Sequence, residues 1–247
     1  MADRARREYP FPDPDRRDDD ARRALLGDAD ALARYLRPLL SPPPLDLASP
    51  EGALSLGAAP LPSLEPGKPG MEPGMDARPG ARHAAVLAPL YARDGEPWLL
   101  FTRRATGLSR HSGEISFPGG KRDATDPTLA HTALRESREE LALDASRVRL
   151  LGALPAAYVS VSDFVVTTYV GWLGEGLPAL TPSRSEVAEV IEAPLSALDD
   201  PAIYHEELWT RGGAAHTVMF YDFGAYRIWG LTGRLLHHLL SLLPPRA

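Results

Sequence analysis

Three carboxylates in one short stretch raise the first chemical question. Glu136, Glu139 and Glu140 stand at i, i+3 and i+4 within residues 117 to 143, FPGGKRDATDPTLAHTALRESREELAL, and a helix brings residues so spaced onto one face. On an isolated helix each like-charge pair of this kind is unfavourable by about 0.2–0.5 kcal/mol, so the cluster asks for a cation. Ligands that offer only oxygen suit a hard cation, Mg²⁺ or Mn²⁺, which keeps some waters and binds substrate phosphates. Such an ion neutralises charge developing on a phosphoryl group and activates water. Gly119 and Gly120, just upstream, let the backbone approach a ligand closely. Each feature also has a plainer reading: a Glu- and Arg-rich helix is commonly a solvated, ion-paired surface, and a double glycine is commonly a tight turn.

A basic stretch precedes the helix. Residues 103 to 122 carry Arg103, Arg104, Arg110, Lys121 and Arg122 against Glu114 alone, a local charge of +4 in a chain of −6. Arginine grips phosphate bidentately, so a basic rim beside an acidic helix fits a polyanionic substrate. At least two of these arginines are expected to pair with carboxylates instead.

The carboxylates need a helix seated on something. Ala130, Leu134, Ser137 and Leu141 form a neighbouring, mostly apolar stripe, expected to pack on a sheet and aim the acidic face outward. Asp126 suits the cap and Pro127 the first turn, which predicts a helix over 127–141. Upstream, HAAVLAPLY and WLLFTRR flank the turn ARDGEP and read as a hairpin. Further strands are predicted at 147–154, 164–173, 187–193 and 216–222, and an amphipathic helix at 230–243. IYHEELWTRGG reads as turn-like. The pattern is α/β or α+β, with helices covering a mixed sheet.

Nearer the amino terminus, Leu25, Ala29, Leu32 and Leu36 form one helical stripe that Pro38 should stop. The stripe either docks on the catalytic body or serves as a partner-binding helix or one that permits a homodimer. Ten prolines and six glycines fall within residues 41 to 80, a composition that cannot offset its ordering entropy and reads as a linker or long insertion. The predicted organisation is a tail and helix at 1–40, a linker at 41–80 and a catalytic domain at 81–247.

Composition narrows the function. A chain of 247 residues, 44% hydrophobic and 24% charged, can build a core,. Net acidity argues against nucleic-acid binding, which draws on Lys and Arg to neutralise phosphates. The absence of cysteine removes disulfides, a thiolate nucleophile and sulfur-ligated zinc. Without an apolar run of ~18–20 residues or a secretory signal, the expectation is a soluble, cytoplasmic protein that does not engage a membrane. His111 could donate to substrate, while His237 and His238 read as packing or surface residues.

The stretch resembles the signature of the Nudix hydrolase family, G-x5-E-x7-R-E-U-x-E-E-x-G-U with U aliphatic. Gly120 is followed by Asp126 and then by Arg135-Glu136-Ser137-Arg138-Glu139-Glu140-Leu141-Ala142-Leu143. Asp126 stands for the first Glu, one residue is added before the Arg, Ser137 replaces an aliphatic residue, and Ala142 replaces Gly. Leu100-Phe101-Thr102-Arg103-Arg104, Gly113 and Phe117-Pro118-Gly119-Gly120 are similar to the pattern of the branch acting on coenzyme A, as is Tyr226-Arg227-Ile228-Trp229-Gly230. Ala105 and Ser109 depart from that pattern, with Arg110 one residue later.

The resemblance implies an α/β/α sandwich with a mixed sheet and a loop-helix-loop catalytic motif. It implies Mg²⁺ or Mn²⁺ on Glu136, Glu139, Glu140 and the carbonyl of Gly120, with Arg135 holding the carboxylates. Arg103, Arg104, Arg110, Gly119 and Lys121 would bind a coenzyme A-like substrate, and water would attack its diphosphate to give 3′,5′-ADP and 4′-phosphopantetheine. Glu136 is the first candidate for general base, Glu206 or Glu207 the reserve. Alternatives are another nucleoside diphosphate derivative such as ADP-ribose, or a catalytically silent Nudix-fold binding protein.

Overall fold

A twelve-residue strand, β1 (Arg82–Arg93), forms the spine of the molecule. The computed structural model describes residues 17–41, 80–105, 113–160, 162–211 and 214–246. Along one edge β1 runs parallel to β7 (Phe164–Glu175). Along the other, β4 (Gly119–Lys121) pairs with its first half and β2 (Glu96–Arg104) with its end. The turn from β1 to β2 falls at Asp94-Gly95, whose φ angles of 54° and 82° are those Asp-Gly supplies to a tight hairpin.

β2 also pairs with β3 (Ile115–Ser116) and β8 (Val187–Pro194), and β7 with β5 (Arg149–Ala153) and β6 (Ala157–Val159). The result is a mixed eight-stranded sheet. A second sheet has the order β11-β10-β9, with β9 at Tyr204–Arg211, β10 at Ala214–Phe223 and β11 at Tyr226–Trp229.

Alternation along the strands gives the large sheet two apolar faces. Ala85, Leu87, Tyr91, Tyr169 and Leu173 meet Ala130, Ala133, Leu134 and Leu141 of the helix α3 (Leu129–Leu141). Ala88, Leu90, Val170 and Trp172 point the other way, toward α2 (Ala29–Leu36) and α5 (Gly230–Ser241). Helices thus cover both faces, which is the expected α/β/α sandwich. The short α4 (Leu195–Leu198) follows β8.

The amino-terminal stripe belongs to two helices, α1 (Arg17–Leu26) and α2, separated at Gly27-Asp28. Asp28 caps α2 by accepting from the Ala31 amide at 2.8 Å. Ala29, Leu32 and Leu36 are at most 1% exposed and share a core with Leu90, Phe101 and Leu236, so this stripe is docked on the body and offers no face to a partner. Arg22 anchors α1 by donating through Nε to Asp199 at 2.8 Å. The segment 42–79, expected as a linker, lies outside the described residues.

Two local expectations are corrected. Helix α3 begins at Leu129, with Thr128 as the cap that accepts from the His131 amide at 3.2 Å; Asp126 has other partners. The stretch expected to be turn-like, IYHEELWTRGG, holds the eight-residue strand β9, which follows directly on a short 3₁₀ turn at Pro201–Ile203.

Candidate active site

Helix α3 carries its polar residues on two levels. Ser137, where the signature has an aliphatic residue, is 1% exposed, and its hydroxyl donates to the Ala133 carbonyl at 2.7 Å, so the helix itself satisfies the polar group. The helix ends at Ala142 with φ 56°, a left-handed position that favours the glycine of the signature.

The three carboxylates are not equivalent, and the acidic face is not uniformly outward. Glu140 is only 4% exposed. Its Oε2 accepts from the Gly119 amide at 3.2 Å, and Nη1 of Arg104 lies 4.0 Å from Oε1. Burial pushes its carboxyl up to about 7; the Gly119 amide and Arg104 oppose the rise, and Glu136 and Glu186 add to it. Glu136 is raised too, chiefly by burial, against the pull of Arg135 at 2.9 Å and with the push of Glu139 and Glu186. Glu139 is exposed and tied to Nη1 of Arg135 at 3.0 Å.

Arg135 is the hub of this arrangement. Its Nε and Nη2 grip Asp126 at 2.9 Å each, and Nη2 also donates to the Lys121 carbonyl at 3.1 Å. The Asp126 hydrogen bond, foremost, raises the guanidinium's proton affinity. Asp126 is 5% exposed and accepts as well from the Asp123 amide and the Thr132 hydroxyl, both at 2.9 Å. Burial alone would raise its carboxyl; the Arg135, Asp123 and Thr132 hydrogen bonds bring it down to about 2. The residue expected to cap the helix instead fastens the loop to it.

Both glycines are required by close approach. At Gly119, φ is 153° and a Cβ would lie 2.4 Å from the Ala85 carbonyl oxygen; at Gly120 it would lie 2.6 Å from the Glu136 carboxylate. Pairing of Gly119 with Val86 and of Gly120 with Ala85 fixes the loop to β1.

The basic residues divide. Arg103 and Arg104 are successive on β2 and so face opposite sides of the sheet. Arg104 looks toward Glu140, while Arg103 pairs with Glu189 at 2.7 Å. Lys121 is exposed, and Arg122 donates to the carbonyls of Asp126 and Pro127. Arg110 and His111 lie outside the described residues.

Two neighbours escaped sequence reasoning. Glu186 acts on both Glu136 and Glu140. Its segment is strapped to the site: the Ser183 amide donates to the Glu140 carbonyl, the Thr181 amide to the Leu141 carbonyl and the Ala105 amide to the Glu186 carbonyl, each at 2.8 Å. No spacing in the sequence links residue 186 to the helix. Glu189 joins Arg103 to the Tyr226 hydroxyl, which donates to it at 2.7 Å. By contrast, Glu206 and Glu207 sit on β9, where Glu206 accepts from the Tyr204 hydroxyl and Glu207 from Trp209 Nε1.

Among the described residues no three acidic or imidazole side chains are gathered closely enough to hold a metal ion by themselves. Two carboxylates, backbone and water are nonetheless what Mg²⁺ ordinarily takes from a protein. A buried, under-compensated Glu140 and a Gly120 cradle that a methyl group would fill match that donor set. The site can therefore hold concentrated negative charge against a glycine loop, with a guanidinium nearby.

The NUDIX domain family profile matches residues 81–209. The chain belongs to the Nudix family. Among its relatives is the uncharacterized Nudix hydrolase NudL of Photorhabdus laumondii, 41% identical over 158 residues that span 64% of this chain and 83% of the relative. The NudL protein of Yersinia pestis is 42% identical over 158 residues, 64% of this chain and 78% of the relative. Among solved structures, the Nudix hydrolase RenU of M. smegmatis overlaps 48% of this chain and 73% of its own at 23% identity, with a TM-score of 0.41.

This Nudix protein is a hydrolase of phosphoric anhydride bonds, and Nudix hydrolases generally use divalent metal ions. The matched region holds α3 and its loop and ends inside β9, so β10, β11, α5 and both amino-terminal helices lie beyond it. No helix among the described residues is long and apolar enough to cross a membrane.

Proposed function

We propose that the protein cleaves the diphosphate of coenzyme A or an acyl derivative to 3′,5′-ADP and (acyl-)4′-phosphopantetheine. One observation carries the choice of substrate. Two segments far apart in sequence that resemble the coenzyme A branch, residues 100–104 and 226–230, meet through Glu189, which holds Arg103 and Tyr226 at 2.7 Å each. Phe101 and Phe117 of the same pattern stack with ring centroids 4.8 Å apart and hold β2 against β3 and the glycine loop.

Glu136, Glu140 and the Gly120 carbonyl would hold Mg²⁺ or Mn²⁺, with Glu139 completing the set if it leaves Arg135. When bound, the ion neutralises charge on the diphosphate and makes water a better nucleophile. Arg135 keeps Glu136 and Glu139 oriented while Asp126 locks the guanidinium. Arg104 and the Gly119 backbone would receive phosphate oxygens beside Glu140, and Arg103, Arg110 and Lys121 would add positive charge for the polyanionic substrate. Glu136 takes the proton of the attacking water as its oxygen bonds to phosphorus; the bridging P–O bond breaks and the second phosphate departs. Glu186 replaces Glu206 and Glu207 as the reserve base, because it faces the carboxylates and they do not. On this reading the substrate is a small nucleotide derivative and the protein acts in the cytoplasm.

The test is a panel of coenzyme A, acetyl-coenzyme A, ADP-ribose and diadenosine polyphosphates, each with Mg²⁺ or Mn²⁺, resolved by chromatography. Release of 3′,5′-ADP from coenzyme A is expected. Turnover of ADP-ribose or dinucleotides with coenzyme A untouched would overturn the substrate and leave the hydrolase.

A further inference from the structure

Helix α5 carries a cation that the fold leaves without a counter-charge. Among the described residues, six arginine side chains are not exposed, and five of these face a carboxylate. Arg22 and Arg246 meet Asp199, Arg93 meets Glu192, Arg104 meets Glu140, and Arg135 meets Asp126, Glu136 and Glu139. The sixth, Arg234, meets none among the described residues. Its hydrogen bond runs from Nη2 to the Tyr158 carbonyl at 3.3 Å, which leaves the other N–H donors of the guanidinium without a protein acceptor there. Burial lowers its proton affinity, and no carboxylate opposes that effect. A covered charge is ordinarily paired, because its desolvation is offset only by an opposite charge.

The neighbours of Arg234 select the kind of anion. His238 lies four residues on, one turn along the same face of α5. Burial foremost, then His237 and Arg234, lowers its proton affinity, and a neutral imidazole still has one N–H to donate. Arg234 is half-buried, so a small ligand can reach it. A guanidinium fork engages two oxygens of a carboxylate or a phosphate. Only the phosphate then has a further oxygen left for the imidazole. We propose that Arg234, with His238, forms a second anion site that takes a terminal phosphate group, either inorganic phosphate or a phosphomonoester. The site lies across the large sheet from α3, since α5 packs on the face of Leu90, Val170 and Trp172 and α3 on that of Leu87 and Tyr169. It stands whether or not coenzyme A is the substrate.

Calorimetry and thermal melting of the full, metal-free chain test this, with inorganic phosphate in one arm and AMP in the other. Wild type should bind, and the bound anion should raise its melting temperature. Arg234→Met should bind at least ~10-fold more weakly, as expected when charge-assisted hydrogen bonds are lost. Its melting temperature should also cross that of wild type. Without phosphate it should be equal or higher, because an unpaired charge is gone, and with phosphate it should be lower; a merely structural arginine would lower it in both. Arg234→Lys keeps the charge without the fork and should bind with intermediate strength. Arg104→Met, a control at the carboxylate centre, should keep the phosphate-induced rise. Tighter binding of AMP assigns the site to phosphomonoesters, and tighter binding of phosphate assigns it to the free ion. A wild type unmoved by either anion, a rise that survives Arg234→Met, or a rise lost in Arg104→Met would each overturn the proposal.

Discussion

Helix α3 and strand β9 each carry two adjacent glutamates, and the fold treats the pairs in opposite ways. On α3, Glu140 is turned inward against the Gly119 amide while Glu139 stays at the surface with Arg135. On β9, Glu206 and Glu207 alternate across a sheet and settle on side chains of their own strand, Tyr204 and Trp209. The difference lies in what stands behind each pair. Beside Glu140 are two glycines fixed to β1: the Gly119 amide donates to Glu140, and Gly120 leaves room for the neighbouring Glu136 carboxylate where a side chain would otherwise sit. Glu207 stays at the surface, beside His205 and Trp209 of its own strand. The proposed cation would sit beside the costly buried carboxylate, whereas the β9 pair, held within its own strand, lies outside that proposal.

Substitutions can break that comparison. The largest effect should come from Glu140→Gln, which removes a carboxylate from the proposed cation site: kcat should fall by about 10³-fold or more, given several kcal/mol of electrostatic stabilisation. Glu207→Gln on β9 should stay within about twofold, because it changes no group near the chemistry. Steady-state hydrolysis of coenzyme A reads both.

Arg135→Ala comes next. It strands Asp126, a buried carboxylate, and breaking such a pair costs about 3–5 kcal/mol. Urea unfolding should show a loss near the lower bound, with Glu207→Ala within about 0.5 kcal/mol of wild type.

The pH dependence of the metal-free protein sharpens the contrast further. Glu140 is raised from 4.5 to about 7, so its protonated form favours the fold. The stability it contributes is complete below pH 4.5 and is lost as pH rises through about 7, on the order of 2–3 kcal/mol. Glu140→Gln should flatten that decline. Asp126, lowered from 3.8 to about 2, has the opposite sign: its contribution is present above 3.8 and is lost as pH falls through about 2. Melting curves of metal-free protein from pH 2 to 8 separate the two groups.

The smallest effect concerns the end of α3. Ala142 is held at φ 56°, a conformation costing an L-residue about 1–2 kcal/mol. Ala142→Gly should raise the melting temperature by about 2–4 °C and leave turnover unchanged.

Much of this architecture could be read from residue order, because local rules and global fold agree there. Asp94-Gly95 makes the turn it implies, and Ala130, Leu134, Ser137 and Leu141 form the buried stripe their spacing implies. Reading failed where a residue's role depends on distant partners. Asp126 looks like a helix cap, yet the Arg135 guanidinium nine residues on claims it. Glu186 meets the carboxylates only because backbone hydrogen bonds strap its loop to the end of α3. Strand β9 was hidden because both of its faces mix polar with apolar residues: Tyr204, Glu206 and Leu208 on one, His205, Glu207 and Trp209 on the other. The amino-terminal stripe was legible as a stripe, but the break at Gly27-Asp28 and the core that absorbs it were not.

The central claim, that a buried and poorly compensated Glu140 is kept for a divalent cation, is tested most directly by melting metal-free protein at pH 7.5 with and without saturating Mn²⁺. Wild type should be strongly stabilised by the ion, as any ligand of the native state stabilises it. Glu140→Gln should melt at or above wild type without the ion and gain little from it. Equal stabilisation of the two proteins by Mn²⁺ would contradict the account.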